Sequence, residues 1–148
     1  MAGSTLYVGI GSPHGDDQVG WLVMEELKKH VAKEQCRQAR TPAQLLDWLE
    51  DLDELVVCDG LQSTGPAAEV RFWEWPAPDL AGVQFQGSHD LSLCAALELA
   101  KQLGRLPAKV HIWGVRIESA RPTEEVSPRV AESASLVARR ILQERIDA

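Results

Sequence analysis

No run of apolar residues in this sequence approaches the roughly 20 needed to cross a bilayer, and that excludes a helical membrane span. Met1 to Val8 carries no basic stretch followed by a long apolar one, so no secretory signal is expected. Cysteine is scarce: Cys36, Cys58 and Cys94 are odd in number and far apart. Their spacing excludes a disulfide framework and a CxxC zinc site, and free thiols suit a reducing, cytoplasmic setting. Positive charge is also short, with 15 basic against 22 acidic residues, a net charge of −7 and a pI of about 5.1. A protein built to grip nucleic acid needs a basic face, which this balance argues against. No GxSxG sequence surrounds Ser88 or any other serine, which removes the serine-hydrolase elbow. No repeat, linker or low-complexity tract divides the chain, and one domain over 1–148 is expected.

What the chain does have is an alternation of short apolar runs with helical patterns. Thr5–Gly11 reads as a buried strand entering a glycine turn. Val19, Leu22, Val23, Leu27 and Val31 then recur at helical spacing, with Asp16 and Asp17 ahead of them and lysines behind. Glu34–Arg40 fits a short strand or a loop. Thr41-Pro42 looks like a cap and first helical residue, opening a helix that ends near Asp51. Glu54–Asp59 is a second buried strand. Ala68–Trp75 alternates as a strand stopped by Pro76, Ser88–Leu103 is an expected helix, Lys109–Val115 a further strand, and Ser127–Ile146 the last helix. Trp73 and Trp75 are candidates for a partner surface. Together these predict an α/β fold, a three-layer α/β/α sandwich around a twisted, mostly parallel sheet of about five strands.

Ligands of open α/β sheets gather beyond the carboxyl ends of the strands. Asp17 follows the first strand and its turn, Asp59 closes the second buried run, and His89 is expected in the first turn of the helix after Gly87. All three are metal-binding types and are expected on one side of the sheet. Each has a plainer reading: Asp17 as a helix cap, Asp59 as a turn residue before Gly60, His89 as a surface histidine. The set carries the metal reading, since a buried carboxylate without a partner costs several kcal/mol. The GxGxxxG spacing of Gly9, Gly11 and Gly15 is a poor dinucleotide turn, because two aspartates follow it. His14, beside them, could join the site, although a solvated loop residue is the simpler reading.

Gly9-Ile-Gly-Ser-Pro-His-Gly-Asp-Asp-Gln-Val-Gly20, then Val56-Val-Cys-Asp59, then Gly87-Ser-His-Asp-Leu91 resemble the hydrogenase maturation proteases. Gly114–Ser119 and Val126–Val130 resemble that family's final strand, turn and last helix, so the likeness runs nearly the whole length in order. It implies an endopeptidase that removes the C-terminal tail of a [NiFe] hydrogenase large-subunit precursor. It implies nickel, or another divalent metal standing in for it, held by Asp17, Asp59 and His89. In the family that nickel is already inserted in the precursor, so it marks a substrate ready for cleavage. Asp17 and Asp59 become the candidate catalytic bases.

The likeness also has gaps. The family's Asp-Gly-Gly-Thr stretch corresponds here to Arg37-Gln-Ala-Arg-Thr41, Ser12 replaces an asparagine, and Ile117 a proline. Thr41, the surviving member of that stretch, and His14 are the candidate substrate-binding residues. The altered stretch motivates an alternative function, a non-catalytic metal-recognising assembly factor or chaperone. The expected partner is a hydrogenase large-subunit precursor, with neither nucleic acid nor membrane involved.

Overall fold

The structure, a computed structural model, describes residues 4–87, 90–119 and 125–147, with the side chains of 146 and 147 left aside. Five strands form one sheet: β1 (Thr5–Ile10), β2 (Cys36–Ala39), β3 (Glu54–Leu61), β4 (Val70–Glu74) and β5 (Lys109–Arg116). Their order is β2-β1-β3-β5-β4, parallel except for β4, which runs antiparallel to β5 at one edge. The apolar runs of β1, β3 and β5 are central because both of their faces are covered, and their interiors are almost wholly buried. β2, with its middle two residues exposed between buried ends, forms the opposite edge.

Three helices complete the layers: α1 (Val19–Leu27), α2 (Leu93–Gln102) and α3 (Pro128–Asp147). α1 and α3 pack together on one face, where Val19, Val23 and Leu27 meet Val130, Ala134, Val137 and Ile141 over Tyr7, Val56 and Trp113. α2 covers the other face with Leu93 and Leu97, joined by Leu45 and Leu49. The expected α/β/α sandwich is therefore what forms. Among the described residues, no helix is long and apolar enough to cross a membrane.

Three local readings differ. The segment after Thr41 is a 3-10 turn over Pro42–Asp47, not an α-helix to Asp51. α2 begins at Leu93, where the Ser92 hydroxyl accepts from the Ala95 N–H at 3.1 Å, five residues later than expected. Trp73 is only 4% exposed and belongs to the core, so it marks no partner surface.

The start of α1 is held unusually close to the sheet. A Cβ on Gly20 would sit 2.5 Å from the Ile10 carbonyl oxygen and 2.6 Å from that of Cys58, and one on Gly9 would strike the Gly20 carbonyl. Only bare Cα atoms let helix and strands touch here. Gly20→Ala should therefore cost about 3 kcal/mol through overpacking, lowering Tm by roughly 6–12 °C; a thermal melt at the wild-type temperature would refute the packing argument.

Candidate metal centre

The strand order reverses direction between β1 and β3, because the chain leaves β1 for β2 on one side and later returns to β3 on the other. A crevice opens at such a switch point, beyond the carboxyl ends of the two strands. The turn after β1 and the end of β3 line it.

The turn is folded on itself. Asp17 N–H donates to the His14 carbonyl at 3.0 Å and Ser12 N–H to the Asp17 carbonyl at 3.2 Å. Gly15 takes a positive φ of 50°, a conformation that glycine adopts without steric cost. The neighbouring aspartates then part company. Asp16 is fully buried, and its carboxylate accepts from Glu118 N–H (2.8 Å), Ser119 N–H (3.0 Å), Ser127 N–H (2.6 Å) and the Ser127 hydroxyl (2.9 Å). Its own N–H donates to the Ser119 carbonyl at 2.7 Å. Asp16 thus ties the turn to the chain between β5 and α3. Asp17 is half-buried, and its charge acts on Asp59.

Asp59 lies within β3 rather than at its end, since pairing with β5 continues to Leu61. It is 2% exposed. One carboxylate oxygen accepts from Gly60 N–H at 2.7 Å, while Oδ2 is buried with no hydrogen-bond partner among the described residues. Burial pushes its carboxyl well above the usual range. The Gly60 N–H pulls it back in part, and the negative charge of Asp17 nearby pushes it up again. The two carboxylates, 42 residues apart in the chain, are thus near enough for the charge of one to act on the other.

A further stretch of chain pairs with the end of β3. Gln86 N–H donates to the Gly60 carbonyl at 2.7 Å, Gln62 N–H to the Gln84 carbonyl at 3.1 Å, and Phe85 bridges Leu61 in antiparallel fashion. His89 itself lies outside the described residues. Among the described residues, no group of three His, Cys, Asp or Glu side chains is arranged to hold a metal. The two aspartates are the described part of any such site.

The remaining candidates are placed as follows. His14 is exposed ahead of the turn. Thr41 follows β2 and opens the 3-10 turn, where Gln44 Oε1 accepts from Thr41 N–H (3.2 Å) and Arg40 N–H (2.6 Å). Both stand at the carboxyl edge of the sheet, and Gly11 N–H joins them by donating to the Ala39 carbonyl at 2.9 Å. Burial pushes the thiols of Cys36, Cys58 and Cys94 up, so none has thiolate character suited to a nucleophile near neutral pH.

No family model and no curated protein matches the chain. Solved structures do resemble it. Hydrogenase maturating endopeptidase HybD from E. coli superposes with a TM-score of 0.76 at 21% identity, over 95% of this chain and 93% of that one. The [NiFe] hydrogenase maturation protease HycI from Thermococcus kodakarensis gives 0.66 at 21%, over 94% and 90%. A hydrogenase 2 maturation peptidase from a Thaumarchaeota archaeon gives 0.67 at 22%, over 95% and 96%. The shared fold spans nearly the full length of both partners.

Proposed function

We propose that this protein is a hydrogenase maturation protease, an endopeptidase that cuts the C-terminal tail from a nickel-loaded [NiFe] hydrogenase large-subunit precursor. One observation carries the reading: the orphaned Oδ2 of Asp59, buried beside Asp17 in the switch-point crevice. A carboxylate in that position lacks the partner its burial demands. A divalent cation delivered by a substrate would supply it, and two carboxylates leave coordination positions open for further ligands. His89 is the third ligand in this reading. It follows Gln86, whose N–H donates to the Gly60 carbonyl, by three residues in the sequence. The ordered motifs and the fold shared with the maturation endopeptidases support the same assignment.

In this reading nickel is part of the substrate, and its role is to mark and position a finished precursor. Asp17 or Asp59 takes a proton from the attacking water. The water oxygen bonds to the scissile carbonyl carbon, the C–N bond breaks, and the proton passes to the departing amine. Thr41 and His14, at the rim, contact the tail.

Purified protein should shorten a nickel-loaded precursor by its C-terminal tail, read by intact-mass spectrometry, and leave the metal-free precursor whole. Asp17→Asn and His89→Ala should each abolish cutting without lowering Tm. Normal processing by both variants would remove the proposal, and a precursor that binds without being shortened would favour an assembly factor.

A further inference from the structure

β2 leaves one long side of the sheet open: it pairs with β1 alone among the described residues. Such an edge carries main-chain groups able to accept another strand. Two guanidinium groups bracket it. Arg37 lies 5.1 Å from the centroid of the Trp48 ring, and Arg40 lies 5.9 Å from that of Trp21. The indoles belong to opposite sides of the sheet, since Trp48 packs with the α2-side core and Trp21 stands on α1. Trp21 is itself fixed by its indole N–H, which donates to the Ala39 carbonyl at 3.0 Å.

Both arginines are exposed, yet neither forms an ion pair among the described residues. The nearby acid, Glu25, is taken by Gln38 at 3.1 Å and Lys28 at 3.3 Å. In a chain with seven more acids than bases, two unneutralised guanidiniums held against aromatic faces on one edge are out of keeping with solubility alone. Cation–π contact keeps each planar group oriented with its donors free. The edge also ends at Arg40 and Thr41, next to the Gly11 turn that leads into Asp17.

We infer that β2 is a docking edge for an extended acidic segment of the protein substrate, which adds as a sixth strand with its carboxylates on Arg37 and Arg40. This rests on the peptidase reading and names the chemistry of the substrate near the cut. Main-chain pairing supplies the register, and the arginines, one on each face, select a strand with acids on both sides.

The test uses a labelled extended peptide of valine and threonine with two glutamates three residues apart, which puts one acid on each face of the strand, and its glutamine counterpart, followed by fluorescence anisotropy with the full chain and no metal. The acidic peptide should bind about tenfold more tightly, the scale of two screened charge pairs. Arg37→Gln/Arg40→Gln should erase that difference with Tm unchanged, and N-methylation of alternate amides should weaken the acidic peptide similarly. Equal affinities for the two peptides, or discrimination surviving in the double variant, would overturn the inference. In the precursor assay the double variant should raise KM and leave kcat alone. The pattern in peptides with an uncut precursor would retain the docking edge and remove the protease; a cut precursor with an unmoved KM would do the reverse.

Discussion

Asp59→Asn is expected to make the metal-free protein more stable while ending tail removal. The wild-type carboxyl is buried, holds one hydrogen bond through Oδ1 and leaves Oδ2 without a partner. Its pKa in the folded chain is raised by burial above that of the unfolded chain. The stability it permits is therefore complete below the unfolded value of about 4, and is lost as pH rises through the raised folded value. At neutral pH, keeping this acid buried therefore weighs against folding. Asparagine has the same shape and no charge, so the variant should gain about 2 kcal/mol at pH 7, or roughly 4–8 °C in Tm. The gap should narrow as pH falls towards 4. Melts of both proteins across this range decide it: a variant less stable than wild type at pH 7 would mean that Asp59 is a structural partner rather than a vacant ligand. A residue whose removal strengthens the fold and ends the activity is kept for the activity.

The central architecture was legible because its signals are local. β1, β3 and β5 are continuous apolar runs, and α3 presents Val130, Ala134, Val137, Ala138 and Ile141 at helical spacing, all of them buried as that spacing requires. β2 was ambiguous for a physical reason: an edge strand of four residues exposes its middle pair and has no long apolar stretch to declare it. The segment after Pro42 shows a helical apolar pattern, yet its bonds run from Gln44 to Thr41 and from Trp48 to Leu45, the shorter 3-10 span. Pattern alone does not separate one tight turn from the start of a helix. The start of α2 lies later than the helical pattern suggests because the Ser92 hydroxyl caps it by accepting from the Ala95 N–H, a contact that the pattern does not carry.

The candidate site was legible in part. Strand ends and residue types point to Asp17 and Asp59; Asp59 lies two residues inside the end of β3, and the charge of Asp17 acts on it. Thr41 and His14 occupy the same edge. Arg37 and Arg40 were visible only as a departure from a glycine-rich stretch; their stacking on indoles needed coordinates, because Trp21 and Trp48 reach β2 from different elements. Gly20 was likewise silent. A glycine inside a helical pattern reads as tolerated until the carbonyls of Ile10 and Cys58 are seen against it.

The distinction hardest to read was between two adjacent aspartates, and it gives the other large expected effect. Both precede a helix and both suit its dipole, so the sequence assigns them one role. The donors that separate them lie 102 to 111 residues further along, at Glu118, Ser119 and Ser127. Every hydrogen bond to the Asp16 side chain among the described residues comes from a donor, so Asp16→Asn would turn an amide NH2 towards N–H and O–H groups. At least one bond is lost and one buried donor is left facing another, at about 3 kcal/mol. Tm should fall by roughly 6–12 °C. Asp17→Asn, at a half-buried position on the crevice side, should leave Tm within about 2 °C of wild type, as expected for a substitution outside the packed interior. Yet the second variant should lose tail removal entirely, whereas residual folded Asp16→Asn, assayed at low temperature, should still cut. Melting temperature and processing would then rank the two variants in opposite orders. If both variants shift Tm alike, the tether between the first turn and the β5–α3 connection does not separate structure from chemistry at this pair.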